Sequence, residues 1–202
     1  MNTTRRSLVK TASALVALGM FYAASAYSDI PNYREWDAPI PWTHAGSACA
    51  PDEAALNKYA ANYADFSFKS GAYSAPTRTG WTPISARCNI VDLSGNGDVN
   101  PSWNTFVVGY QDPDGTGLDT GIVARVMGVK RATGTLSTLA TFKSNDYPAN
   151  TRGEGFVFVS AAGFDFHNYE YFVQLDLTKS DKATAGPVVY SLRLVSATAI
   201  PQ

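Results

Sequence analysis

The sequence predicts an all-β protein, an antiparallel β-sandwich of the jelly-roll type with about eight strands and at most one short helix. Three observations predict this fold. From residue 66 onward, apolar residues recur at every second position, which is the period of a half-buried strand. Clusters of glycine, proline, asparagine and aspartate separate these runs at regular intervals. The runs are short, and short strands at such spacing favour a sandwich over a barrel.

The first 26 residues have the organisation of an export signal. Arg5 and Arg6 precede an apolar stretch at residues 12–24, and a small-x-small cleavage site ends at Ala26. This combination describes a secretory signal peptide. The arginine pair also resembles a twin-arginine signal, which exports folded proteins, and the general secretory route is the alternative. The apolar stretch is too short for a bilayer of about 30 Å, so we expect no transmembrane segment in the mature chain and a location in the periplasm or outside the cell.

Two segments precede the regular strands. Residues 27–48 form an arm rich in proline and tryptophan. Because proline fixes φ and lacks an N–H donor, the arm is predicted to be extended or an edge strand, with its tryptophans buried against the domain. The β-sandwich domain is predicted to span residues 49–202. It opens with Pro51 ahead of two acidic residues, which predicts the only helix of the chain, ending near Ala64.

The alternating runs that follow are assigned to strands in chain order. They lie at residues 66–68, 81–91, 105–111, 121–131, 169–177 and 190–194. The clearest is the run at residues 169–177, which has five apolar residues on one face and Glu170 and Asp176 on the other. In the last run, Tyr190 is predicted to share one face with Leu192 and Leu194.

Cys49 and Cys88 are the two cysteines of the chain, and both lie in the mature part. In an oxidising compartment an even pair is most simply one disulfide. The bond would close a loop of about 40 residues and contribute about 4 kcal/mol by the chain-entropy argument. Two free thiols, or a metal-binding pair that lacks other ligands, are the alternatives.

The charge of the mature chain excludes one class of partner. Three basic residues leave with the signal, so 176 residues remain with 13 basic and 17 acidic side chains, a net charge of −4. A nucleic-acid surface needs clustered Lys and Arg, and the mature chain offers only the isolated pair Lys130 and Arg131. We therefore expect no nucleic-acid partner.

A glycine-rich loop of eight residues, 112–119, contains three aspartates: Asp112, Asp114 and Asp119. Calcium takes about six to eight oxygen ligands, and clustered aspartates supply several, so Ca²⁺ is the one cofactor that this loop suggests. The spacing differs from that of a helix-loop-helix calcium site, and Pro-Asp-Gly is itself a turn signal, so a hairpin connection is the alternative. The same two interpretations apply to the loop at residues 92–98.

No catalytic residue is assigned from the sequence. His44 and His167 are the only histidines, and the chain has no Gly-x-Ser-x-Gly elbow and no His-Glu-x-x-His motif. A glycosidase needs only two carboxylates about 5–10 Å apart. Glu154, between two glycines, is the most unusual carboxylate of the chain, and a turn explains it equally well.

Trp81 and Trp103 lie near predicted loops and are the candidate ligand-binding residues. On the face of a sandwich, exposed tryptophan forms a flat platform against which the apolar face of a sugar ring packs. Packing in the core or against the arm is the alternative.

Several segments of the chain together form a pattern of strands and turns. They are Cys49-Ala-Pro51-Asp52-Glu53, Phe66-x-Phe68, Cys88, Tyr110-Gln-Asp112-Pro-Asp114-Gly115, Phe164-x-Phe166 and Tyr169-x-Tyr171-x-Val173-x-Leu175. Over residues 49–195 this pattern resembles a group of uncharacterised exported bacterial β-sandwich proteins. The resemblance implies a single sandwich with one disulfide, and it implies no activity and no catalytic residue.

These features predict an exported, non-enzymatic β-sandwich with a binding or structural role at the cell envelope or outside the cell, and with a glycan or protein surface as its partner. The all-β rhythm, an aromatic content of 12% and the lack of a nucleophile–base pair favour this function. The alternative is a hydrolase that acts on polysaccharide through two carboxylates. A cofactor loaded before folded export is a third hypothesis, for which the mature chain offers no motif.

Overall fold

Strands dominate the structure, a computed structural model that describes residues 41–77, 80–91 and 100–196. The strand content is 55%, and no helix in these ranges reaches seven residues, which confirms the all-β prediction. No helix among the described residues is long and apolar enough to cross a membrane.

The described residues form 13 strands and three 3₁₀ turns. The strands are β1 (Trp42–Ala45), β2 (Ala50–Pro51), β3 (Tyr59–Asn62), β4 (Asp65–Phe68), β5 (Pro76–Thr77), β6 (Gly80–Trp81), β7 (Ile84–Ile90), β8 (Thr105–Asp112), β9 (Thr120–Lys130), β10 (Leu136–Lys143), β11 (Asn150–Phe158), β12 (Tyr169–Lys179) and β13 (Val188–Val195). The 3₁₀ turns are Gly46–Ala48, Glu53–Ala55 and Ser144–Asp146. The predicted runs miss the short strands β2, β3 and β5, which have two to four residues, and also the longer β10 and β11, which have eight and nine residues.

Most strands belong to two antiparallel sheets. The first sheet has the order β11-β8-β13-β4-β3, and β1 also pairs with β13. The second sheet has the order β10-β9-β12-β7-β2, and β5 and β6 form a separate two-stranded ribbon. Buried residues of both sheets belong to one hydrophobic cluster, so the two sheets pack as the predicted sandwich.

The core follows the alternation of the strands. Val108 on β8, Leu192 on β13 and Leu175 on β12 are fully buried. Burial of an aliphatic side chain of this size stabilises the fold by about 1.5–3 kcal/mol. Tyr110 is 2% exposed among them, and its burial raises the pKa of its hydroxyl to about 12.

The prediction of a helix at residues 51–64 is wrong. The structure has only the 3₁₀ turn Glu53–Ala55, after which Asn57 takes a positive φ of 69° and the chain enters β3. On β3, Tyr59 stacks on Phe66 of β4, with the ring centroids 5.7 Å apart. Pairing of β3 with β4 therefore outweighs a helix-start signal, which is a weak preference that tertiary contacts override.

A β-bulge on β13 determines the direction of Tyr190. Val189 pairs with Tyr110 and Ser191 pairs with Gly109, so Tyr190 is an extra residue between two regular pairs. A Cβ atom built on Gly109 would lie 2.5 Å from the Tyr190 ring, which places the ring on the outer side of the sheet. The prediction that Tyr190 shares a face with the buried leucines of its strand is therefore wrong.

The last residues of the predicted N-terminal arm belong to the first sheet. Trp42 pairs with Leu194 at the start of β1 and is 2% exposed, so this end of the arm is an edge strand with a buried tryptophan. The predicted signal residues Arg5, Arg6 and Ala26, and the rest of the arm, lie outside the described residues.

Candidate functional site

The predicted disulfide between Cys49 and Cys88 is present, with the two Cα atoms 4.4 Å apart. Cys49 follows the 3₁₀ turn after β1, and Cys88 lies within β7 of the second sheet. The bond therefore fixes the segment that crosses from the first sheet to the second. Both side chains are buried, with 4% and 1% of their surface exposed.

His44 carries no predicted role, but the structure places it beside the disulfide. Its Nδ1 atom lies 3.8 Å from the Cys49 Sγ atom and 3.0 Å from the Ala45 carbonyl oxygen. The imidazole stacks on Trp42, with the ring centroids 5.5 Å apart. One ligand atom each from His44, Cys49 and Cys88 lies within 4.8 Å of the other two. No other group of three or more potential metal ligands of the His, Cys, Asp and Glu types is found in the described ranges.

Asp112 is a buried carboxylic acid at the end of β8. Its Oδ2 atom accepts a hydrogen bond from the Ser144 hydroxyl, and its Oδ1 atom accepts one from the Thr120 hydroxyl at 2.5 Å. The backbone N–H of Asp112 donates to the Asn150 side-chain oxygen at 2.8 Å. Asp112 thereby joins the end of β8 to the starts of β9 and β11 and to the turn after β10.

Asp114 and Asp119 organise the connection between β8 and β9. The Asp114 Oδ2 atom accepts the backbone N–H of Asp119 at 2.8 Å and that of Thr120 at 3.1 Å. The Asp119 side chain accepts a hydrogen bond from the Ser180 hydroxyl at 2.7 Å. These contacts give each carboxylate its own structural role in the connection.

The same contacts bear on the calcium prediction. Asp112, Asp114 and Asp119 do not form a group of three ligand atoms within the described part of the chain. Their hydrogen bonds match the alternative, a hairpin connection. Calcium binding by these residues stays a prediction, and the second proposed loop, residues 92–98, lies outside the described residues.

The Thr120 hydroxyl contacts the carboxyl groups of both Asp112 and Asp114, although it has one hydrogen to donate. Burial raises the pKa of Asp112 above its usual value, against the hydrogen bonds from Ser144 and Thr120 that lower it. Burial also acts to raise the pKa of Asp114, but the hydrogen bonds from Thr120 and from the backbone of Asp119 outweigh it and hold that pKa below its usual value. Asp112 therefore retains its proton to a higher pH than Asp114 does.

Asp112→Asn is expected to remove a pH dependence of stability. Because the pKa of Asp112 is higher in the folded chain than the usual 3.8, the folded chain binds more protons in the range above pH 3.8, and the free energy of unfolding falls as the pH rises through that range. The stability advantage of the wild type over Asp112→Asn, measured by urea denaturation at a series of pH values, is expected to shrink as the pH rises. An advantage that grows with pH would contradict a raised pKa.

The two predicted ligand-binding tryptophans lie in different environments. Trp103 is 3% exposed and makes an edge-on contact with Phe164, with the ring centroids 5.3 Å apart. The structure therefore places Trp103 in the core, in agreement with the alternative, and it is not an exposed platform. Trp81 is half-buried on β6, in the ribbon outside the two sheets, and remains a candidate contact.

Tyr63 is 97% exposed and lies in the two-residue connection between β3 and β4. Its φ is positive, at 53°. Glycine or asparagine is usual at such a position, because the left-handed region strains a residue with a Cβ atom by about 1–2 kcal/mol. Ser47 holds the connection: its N–H donates to the Ala64 carbonyl at 2.9 Å, and its hydroxyl donates to the Tyr63 carbonyl at 2.5 Å. The Tyr63 ring thus sits on a fixed backbone without packing against the fold.

Carboxylates on the sheet surfaces are engaged by arginines of the same chain. Asp176 accepts hydrogen bonds from Arg125 at 2.5 Å and from Ser85 at 2.7 Å. Glu154, the unusual carboxylate of the sequence, pairs with Arg193 at 2.5 Å. Three further ion pairs are Asp52–Arg87, Asp65–Arg152 and Glu170–Arg131. These pairs give each of these carboxylates a structural contact.

His167 lies in a turn built by Asp165. The Asp165 side chain accepts the backbone N–H groups of His167 at 3.0 Å and of Asn168 at 3.1 Å. The Asn168 side-chain amide also donates to it, and these hydrogen bonds hold the pKa of Asp165 below its usual value. The turn accounts for the position of the exposed His167 without a catalytic role.

Known proteins supply no functional residue for this chain. No protein-family model matches the chain, and no curated protein sequence matches it. The resemblance to exported bacterial β-sandwich proteins therefore rests on strands, turns and two cysteines.

Proposed function

We propose that the protein is an exported, non-enzymatic β-sandwich that binds a glycan or protein surface in the periplasm or outside the cell. The observation that carries the proposal is Tyr63, which is 97% exposed on a backbone with positive φ. Residues held in strained conformations are concentrated at functional sites. Tyrosine offers a large amphipathic contact area at a low cost in conformational entropy, which suits a contact residue.

The disulfide supports the export part of the proposal. Disulfides persist in oxidising compartments and are rare in the cytosol. The bond between Cys49 and Cys88 therefore agrees with the export signal that the N-terminal sequence predicts. Of the two routes, the pair Arg5 and Arg6 favours the twin-arginine route, which carries folded proteins.

The contacts of the carboxylates favour binding over hydrolysis. A glycosidase needs one carboxyl group to donate a proton and another to act as a base or nucleophile at the same bond. The pKa of Asp112 is raised, but its side chain is fully buried. Its neighbour Asp114 accepts a backbone hydrogen bond from Asp119 in its own loop. Asp176 and Glu154 are paired with arginines. Aromatic contacts by Tyr63 and Trp81 are the better supported chemistry.

Tyr63→Asn is expected to abolish binding without loss of stability. Asparagine tolerates positive φ better than tyrosine, so the free energy of unfolding is expected to stay constant or to rise by up to about 1 kcal/mol. Co-sedimentation with insoluble polysaccharides and with a cell-envelope fraction is expected to fall to background in Tyr63→Asn and to weaken in Trp81→Ala. The matched control is Leu118→Ser, because Leu118 is 85% exposed and has no proposed role.

Three outcomes would overturn the proposal. If the wild type binds neither the polysaccharides nor the envelope fraction, or if Leu118→Ser loses as much binding as Tyr63→Asn, Tyr63 is not a specific contact. If the wild type releases reducing sugar from a polysaccharide, and Asp176→Asn abolishes that release, the hydrolase alternative is correct.

A further inference from the structure

We propose that His44, Cys49 and Cys88 form a zinc site whenever the disulfide is reduced. One potential ligand atom from each residue lies within 4.8 Å of the other two. The sequence leaves a metal-binding cysteine pair without further ligands, and the fold supplies the missing imidazole. The same three residues thus have two states: a disulfide beside a histidine, and a metal centre with two thiolates and one imidazole.

The distances between the ligand atoms suit tetrahedral zinc. With Zn–S bonds of about 2.3 Å and Zn–N bonds of about 2.0 Å, neighbouring ligand atoms of a tetrahedron lie about 3.5–3.8 Å apart. The His44 Nδ1 atom is 3.8 Å from the Cys49 Sγ atom. After reduction, the Cys88 Sγ atom has to move away from the Cys49 Sγ atom, by rotation about the Cα–Cβ bonds of the two cysteines.

The strand β1 positions the imidazole for this role. His44 pairs with Leu192 of β13, and its ring stacks on Trp42, which is 2% exposed. The nitrogen that faces Cys49 is Nδ1, which in the disulfide state donates its hydrogen to the Ala45 carbonyl oxygen at 3.0 Å. Metal binding therefore breaks this hydrogen bond and needs the other tautomer, with the hydrogen on Nε2. His44 is half-buried, so its imidazole keeps some contact with solvent, and water is the expected fourth ligand of a tetrahedral zinc ion.

Burial of the two cysteines favours binding of a cation once they are reduced. Cys49 and Cys88 are 4% and 1% exposed, so two thiolates without a counter-charge would be costly there. Binding of Zn²⁺ displaces the two thiol protons and neutralises both thiolates. The return to the disulfide requires an oxidant that itself carries a disulfide. This oxidant accepts two electrons from the thiolates and two protons from solvent and leaves as two thiols, and Zn²⁺ is released.

The two states belong to different compartments. A chain that folds before export does so in a reducing cytoplasm, where the pair is not a disulfide. There the zinc ion links β1 and the following turn to β7, in place of the covalent bond. This role during export rests on the proposed location, whereas the site itself does not.

Metal titration of the reduced chain tests the proposal. The full chain is purified with a phosphine reductant, freed of metal with a chelator and titrated with Co²⁺ and then Zn²⁺. We expect one Co²⁺ per chain with the thiolate-to-cobalt absorption of a tetrahedral site, and its displacement by Zn²⁺. The oxidised chain is expected to bind neither ion at this site, because the disulfide has no thiolate to offer.

His44→Phe is the decisive variant, because phenylalanine keeps the ring stacked on Trp42 and removes the nitrogen ligand. Its Co²⁺ affinity is expected to fall by more than about tenfold, since loss of even an outer partner of a metal ligand costs about 10–100-fold. His167→Phe changes the only other histidine and is expected to bind as the wild type does.

A second measurement covers the case in which the reduced chain unfolds without metal. Zn²⁺ is then expected to restore the β-sheet circular dichroism of the wild type and of His167→Phe, but not that of His44→Phe. A reduced wild type that neither binds Co²⁺ nor refolds with Zn²⁺ would overturn the proposal. Equal affinity of the wild type and His44→Phe would also overturn it.

Discussion

Replacement of Cys49 and Cys88 by alanine is expected to lower the free energy of unfolding by about 4 kcal/mol. The two cysteines are 39 residues apart in sequence. A cross-link between them removes conformational freedom from the unfolded chain, so its loss favours the unfolded state. Domains of this kind are stable by about 5–15 kcal/mol, and the change is therefore a large fraction of the total.

Urea denaturation of the oxidised wild type and of the double variant measures this loss. The urea midpoint is expected to fall, and the dependence on urea is expected to steepen because the unfolded chain without a cross-link exposes more surface. The control is the reduced wild type in the presence of a chelator, which should match the double variant. A loss below about 1 kcal/mol would mean that the bond does not restrict the unfolded chain as the entropy argument requires.

The fold class and the disulfide were predictable because both rest on local signals. The alternation at residues 169–177 corresponds to β12, on which Tyr171, Val173, Leu175 and Leu177 are buried. Each of these positions is decided by the period of the strand itself. Two cysteines in a chain have one possible pairing with each other, and the structure contains it.

Features that depend on distant partners were not predictable. The bulge at Tyr190 reverses the face of one residue, and it occurs where β13 changes its neighbour from β4 to β1. No local pattern marks this change. Trp103 near a loop has the same sequence appearance whether it is exposed or packed, and only its contact with Phe164 decides between them.

The candidate sites were predictable to different degrees. Tyr63 is missed because a tyrosine in a two-residue connection gives no turn signal, whereas glycine or asparagine there would. For His44 a signal exists: it lies two residues after Trp42, so it shares the face of that buried residue on an extended chain. That signal places His44 on the inner side of β1, but the approach to Cys49 depends on the turn between them.

Gly115→Ala is expected to destabilise the protein by about 2–5 kcal/mol, because two costs combine at this residue. Its φ is +59°, a region in which a residue with a Cβ atom is strained. The added Cβ atom would also lie 2.6 Å from the Pro148 carbonyl carbon and 2.8 Å from the Ala149 Cα atom. These are backbone atoms, so the contact cannot be relieved by rotation of a side chain.

Gly134→Ala separates the two costs. Gly134 has a φ of +69°, but a Cβ atom there meets nothing within 4 Å, so this variant is expected to lose only the strain cost of about 1 kcal/mol. The difference between the two variants in urea denaturation then measures the steric cost at Gly115. A larger loss at Gly115 means that the connection after β8 packs tightly on residues 148–149, which keeps the neighbouring Asp112 buried. Equal losses would mean that this connection can move away from the chain before β11, and that the burial of Asp112 does not depend on Gly115.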